Sequence, residues 1–150
     1  MSDLITTALV DLDLSAADKD AATRRLAELV HAEGRCTDLD VFLADVQARE
    51  QQMPTGLEGG IGIPHARSKS VTEPTVAFGR APAGIDFGAS DGPAHLIFLI
   101  AAPDGGGDAH LQVLAALARR LVHASFKEAL MNANDASDVV DLFKREVVVK

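Results

Sequence analysis

The chain has 150 residues, of which 47% are apolar and 24% charged, with neither Trp nor Tyr. Its 22 acids and 14 bases give a formal net charge of −8. That balance argues against general affinity for nucleic acid or anionic lipid, both of which require a basic face. The length fits one domain, 1–150, able to bury a core without staples.

Cys36 is the single cysteine, so no internal disulfide can form and a cytoplasmic address fits. The longest purely apolar run, Leu96 to Ala102, is too short to cross a bilayer, and no direct membrane insertion is expected. The N-terminus shows no basic stretch followed by an apolar one, so no signal peptide is expected.

In chain order, Val10 to Leu14 alternates apolar and acidic residues, the pattern of a short half-buried strand or extended lead-in. Ser15 is the expected N-cap of a helix from Ala16 to His31, with Leu26, Leu29 and Val30 inward and Gly34 as its stop. Thr37 or Asp38 caps a second helix to about Gln51, with Leu39, Phe42, Leu43 and Val46 on one face and Pro54 beyond its end.

A glycine-rich loop, TGLEGGIGIPHARSKS, follows, with room for one strand at Ile61 to Pro64. Thr75 to Arg80 reads as a strand. Ala81 to Gly92 is rich in turn residues, around a brief strand at Ile85 to Phe87. Ala94 to Ala101 carries the unbroken apolar run of a central strand covered on both faces.

After the PDGGG loop, Asp108 caps a helix from Ala109 to Val122, with Leu111, Leu114, Leu117, Ala118 and Leu121 inward. Short helices begin at Ser125 and at Asp135 or Ser137. Helices alternating with three or four short strands predict an α/β sandwich with a small mixed sheet flanked by helices.

The five histidines differ in setting. His31 and His123 read as surface side chains near helix C-termini, where the dipole favours them. His95 reads as a strand-edge residue, with a pocket-lining role open. His65 follows Pro64, which restricts the backbone, and a run of glycines that lets backbone N–H groups approach an oxyanion. Arg67 and Lys69 add cations. His110 stands at an expected helix start, where the dipole favours anions and a neutral imidazole.

Other chemistries lack their motifs. No P-loop, zinc-binding pair of cysteines, H-E-x-x-H or G-x-S-x-G elbow is present. Cys36 has no adjacent base. A metal held by His65, His110 and Asp108 stays open on spacing alone, although neither a metal nor an organic cofactor is indicated. A neutral imidazole beside cations and N–H donors suits phosphoryl transfer through histidine.

At these residues the chain resembles the enzyme IIA domain, fructose–mannitol type, of the bacterial sugar phosphotransferase system. The resemblance rests on ARE followed by TGLEGGIGIPHAR, then HLIFLIAAP and HLQVLAALA, and covers nearly the whole chain in the family's order. It implies that His65 is phosphorylated by the carrier protein HPr and passes the group to a cysteine on an enzyme IIB partner.

His110 matches the family's second histidine, and Arg49 the arginine near the site. Thr55 and Glu50 lie in the same signature and are expected to shape the pocket; Arg67 is a looser match. Pro54 and Gly62 depart from the usual STG and GIAIPH. The IIB cysteine and the membrane domain have no counterpart, so the resemblance implies either a free-standing IIA protein or a domain of a fusion.

An acidic surface fits docking of HPr, with Ile61, Ile63 or Leu111 as candidate apolar contacts. A nitrogen-type regulatory enzyme IIA, acting by phosphorylation-dependent binding, is the alternative. A plain ligand-binding module would not need a nucleophilic histidine.

Overall fold

The computed structural model describes residues 4–105 and 109–147, and side chains from 111 onward in the second stretch. Over these residues, a 3-10 turn, Thr7–Leu9, leads into β1 (Val10–Asp11), α1 (Lys19–Ala32) and α2 (Leu39–Gln52). Then come β2 (Gly56–Leu57), β3 (Ile61–Gly62), β4 (His65–Ser68), β5 (Thr75–Ile85) and β6 (Ala94–Pro103). The chain closes with α3 (Ala109–Leu121), α4 (Ala124–Asn132) and α5 (Ala136–Glu146).

The sheet is mixed, as expected. Its strand order is β1-β5-β6-β3-β2, with β4 also paired to β6. The antiparallel pair β5–β6 is its spine; β3 and β4 lie in succession along one edge of β6, both parallel to it. No residue of Leu96–Ala102 is more than 2% exposed, which explains the unbroken apolar run.

The two faces are covered differently. A Cβ on Gly79 would meet the side chains of Leu14 and of Leu26 from α1, so the leucines on that side press directly on the strand backbone. On the other side Phe78, Phe98, Phe143 and Phe126 form a chain of tilted rings, 5.1 to 6.3 Å between centroids, which seats α4 and α5. Arg80 joins that layer to the sheet: its Nη1 donates to the carbonyls of Leu130, Met131 and Ala133, satisfying the C-terminal end of α4.

Several boundaries move from their expected places. Asp18, not Ser15, caps α1, its carboxylate accepting from Ala21 N at 2.8 Å. Asp38 caps α2 while Thr37 bonds to Ser70 instead. Asp135 caps α5, accepting from Asp138 N. In each case a carboxylate placed to reach the N3 amide takes the cap over a nearby hydroxyl.

The loop after Pro54 holds three short strands rather than one. Of the turn-rich segment Ala81 to Gly92, residues 81–85 are absorbed into β5, through an irregularity between Arg80 and Ile85. Residues 86–92 lie outside the strands, so the brief strand expected at Ile85 to Phe87 is only the end of β5. On α3 the buried side chains are Val113, Ala116, Leu117 and Leu121, whereas Leu111 and Ala118 are exposed. The inward stripe is therefore rotated from the expected one. His31 closes the α1–α2 turn by donating Nδ1–H to the Cys36 carbonyl, and His123 precedes α4 as its N-cap residue. Among the described residues, no helix is long and apolar enough to cross a membrane.

Candidate active site

His65 is the first residue of β4, not part of a surface turn. The strand is parallel to β6 with His65 opposite Ile100, and the Pro64 carbonyl accepts from Ile100 N at 3.0 Å. Pro64 is itself buried. Alternation along β4 turns Ala66 and Ser68 inward and leaves half-buried His65 and exposed Arg67 on the other face. α2 packs on this strand and brings Arg49 and Glu50, from its last turn, towards His65.

The ring orientation is fixed by one bond. His65 Nδ1 lies 2.8 Å from the Ile63 carbonyl oxygen. A carbonyl can only accept, so Nδ1 carries the proton and Nε2 keeps the lone pair. Burial lowers the pKa of His65, and the Arg49 cation lowers it further; the Ile63 bond and the Glu50 carboxylate act the other way. The net direction is down, so at neutral pH the ring is neutral and nucleophilic at Nε2.

Glu50 and Thr55 form the frame behind this ring. Both are buried, at 8% and 7% exposure. The Glu50 carboxylate accepts from Thr55 N at 2.8 Å and from Thr55 Oγ1 at 2.6 Å. The Thr55 carbonyl in turn accepts from Ile63 N at 3.1 Å. Two backbone groups of Ile63 therefore connect the buried carboxylate to the imidazole. Arg49 Nη1 donates to the Met53 carbonyl, holding the chain as it leaves α2.

Arg67 makes no ion pair among the described residues. His110 lies in the first turn of α3, which follows the end of β6, but its side chain, like Asp108, is outside the described residues. The metal set of His65, His110 and Asp108 falls outside them for the same reason.

The glycines divide by role. Gly62, where the family often has Ala, lies under the Phe87 ring: a Cβ there would stand 2.8 Å from Phe87 Cγ. Gly59 and Gly60 adopt φ of 94° and 79°. They serve the other end of β6: the Gly60 carbonyl accepts from His95 N and Leu96 N, and Gly59 N donates to the Asp91 carboxylate. The Gly59 N–H is thus taken by a protein carboxylate.

His95 lines a cavity of about 300 Å³ with Gly60, Lys127 and Met131. Of the candidate apolar contacts, Ile61 and Ile63 are buried because they face the core, whereas Leu111 is 51% exposed. Met53 and Leu57 are also exposed, and sequence patterning did not single them out. Cys36 is buried, with Sγ directed at the Asp38 carbonyl.

The arrangement can hold a neutral imidazole with one free nitrogen next to a guanidinium, which is a phosphoryl-accepting geometry. Residues 3–146 match the family model for the phosphoenolpyruvate-dependent sugar phosphotransferase system, EIIA 2. The chain is 42% identical to a PTS system fructose-specific EIIA component of Haloferax volcanii, over 93% of this chain and 91% of that protein. Its fold is similar to the nitrogen regulatory protein IIA-Ntr of Neisseria meningitidis, with a TM-score of 0.84 and 30% identity, over 93% and 95% of the two chains.

It is similar, too, to the mannitol enzyme IIA of Escherichia coli in its complex with phosphorylated enzyme IIB, with a TM-score of 0.80 and 27% identity, over 95% and 99%. The chain therefore belongs to the EIIA 2 family of the sugar phosphotransferase system, and is a phosphotransferase component working through a phosphohistidine intermediate.

Proposed function

We propose that His65 is the phosphorylated histidine and that Nε2 is the atom that carries the group. The observation behind this reading is the Nδ1 bond to the Ile63 carbonyl, which leaves Nε2 as the lone-pair nitrogen. The donor is phospho-HPr. The Nε2 lone pair attacks phosphorus; the donor's N–P bond breaks and its electron pair returns to the donor imidazole. Nδ1 keeps its proton throughout, and the Ile63 carbonyl stabilises the positive charge that spreads over the ring.

In the second transfer a cysteine thiolate of an enzyme IIB attacks phosphorus, and the N–P pair returns to Nε2. Arg49 and Arg67 offset the charge on the equatorial oxygens. His110, from the start of α3, donates a hydrogen bond to the group. Glu50 and Thr55 position Ile63 and hence the ring. The complex formed by the mannitol relative supports the IIB partner, and the similarity to a fructose-specific component favours a fructose-type uptake pathway in the cytoplasm.

The test is phosphoryl transfer from phosphoenolpyruvate through enzyme I and HPr. Label is expected on the wild type and none on His65→Ala; label on His65→Ala would overturn the assignment. His110→Ala is expected to slow onward transfer to enzyme IIB.

The fold similarity to IIA-Ntr favours a second reading, regulation by phosphorylation-dependent binding. Acceptance of label by a fructose-type enzyme IIB supports the transport role. Failure of every candidate enzyme IIB to accept it supports the regulatory one.

A further inference from the structure

Lys19 stands at the start of α1, outside every motif that marks the site. Because α1 and α2 form an antiparallel hairpin, its first residue meets the last turn of α2. The Lys19 ammonium lies 3.6 Å from Glu50 Oε2, with the two side chains 35% and 9% exposed. A continuous chain follows: Lys19 to the Glu50 carboxylate, Glu50 to Thr55 N and Oγ1, the Thr55 carbonyl to Ile63 N, and the Ile63 carbonyl to His65 Nδ1.

Glu50 solves one problem and creates another. Its buried carboxylate orders Thr55, but its charge favours imidazolium over the neutral nucleophile and opposes an arriving phosphoryl dianion. Arg49 opposes that effect at the ring. The other charged residue on the same face of β4 is Arg67; Ile100, opposite on β6, is neutral. Asp104 and His110 follow β6 in the chain. Among the described residues, Lys19 is the cation in ion-pair contact with Glu50.

We propose that Lys19 is a positioning residue for the phosphoryl transfer: its ammonium offsets the Glu50 carboxylate and keeps it turned onto Thr55, so that the strand holding His65 stays in register and the phosphoryl group meets a less negative field. This inference rests on the reading of His65 as the carrier.

The experiment follows the His65 ring by NMR titration on unphosphorylated protein and phosphoryl acceptance from phospho-HPr in parallel. In Lys19→Met the His65 midpoint is expected to rise, the acid limb of the acceptance profile to move to higher pH, and acceptance near neutrality to fall roughly fivefold, the scale of one partly screened charge. Lys19→Arg is expected to restore both. In a Glu50→Gln background, adding Lys19→Met should move both less, because only the direct field of the ammonium is then lost.

Lys19→Gln gives the same comparison if the Met variant folds poorly. An unmoved His65 midpoint in a folded Lys19 variant would overturn the proposal, as would an equal shift in the Glu50→Gln background. The titration needs no phosphate, so its failure is distinct from failure of the carrier assignment, which label on His65→Ala would reveal.

Discussion

The two ends of β6 each hold a half-buried histidine with the same tautomer. His65, opposite Ile100, donates Nδ1–H to Ile63; His95, five positions back along the strand, donates Nδ1–H to Ala81 at 3.0 Å. At the strand rise of about 3.3 Å per residue, the two sites are roughly 16 Å apart.

Their surroundings differ. His65 has Arg49 and Glu50 behind it and a lowered pKa. The His95 ring edge that carries Nε2 is wrapped by glycines: a Cβ on Gly84 would stand 3.0 Å from Cε1, and one on Gly60 3.5 Å from Cδ2. On the reading of His65 as the carrier, a free ring nitrogen is not enough to make a phosphoryl acceptor. The nitrogen must also be open to a partner and flanked by groups that stabilise the transferred charge.

The comparison is broken most sharply by removing each ring. His65→Ala is expected to abolish phosphoryl acceptance, while His95→Ala keeps it; loss of acceptance in both, in folded proteins, would erase the distinction. Next in size is the frame. Thr55→Val leaves Oε1 of a buried carboxylate without its hydroxyl donor, and denaturant unfolding should show a loss of about 1–3 kcal/mol. Phosphoryl acceptance should fall with it, since Glu50 loses one of the two bonds by which it holds Thr55, whose carbonyl carries Ile63.

Gly62→Ala restores the residue common in the family but drives a methyl into the Phe87 ring; a destabilisation of roughly 1–3 kcal/mol is expected. Pairing it with Phe87→Leu should recover part of that loss.

The smallest effect is on pH dependence. The folded-state pKa of His65 lies below its unfolded value near 6.5. As pH falls through 6.5 the unfolded chain takes the proton first, so stability is lost between 6.5 and the folded value, with no contribution above. His65→Gln should flatten that segment of the stability curve.

Much of this was legible in the sequence where a local rule and the tertiary fold agree. The apolar run of β6, the helix after Asp38 and the Pro64–His65 delivery are of this kind. The three short strands of the glycine loop were not, because two to four residues carry no periodicity; β3 and β4 take their register from β6, and β2 takes its own from β3. The inward face of α3 was misread for a related reason. Leu111 is as apolar as Leu117, and only the position of the sheet decides which one is covered. Lys19 gave no signal at all, since its partner is thirty-one residues away and the contact exists only once α1 and α2 pair.

The central claim is that the backbone of Ile63 sets which nitrogen of which histidine takes the phosphoryl group. Heteronuclear NMR of the ring-labelled phosphoprotein tests it most directly. The expected result is phosphorus on Nε2 of His65, with Nδ1 still protonated and hydrogen-bonded. Phosphorus on Nδ1, or on another side chain, would contradict the account.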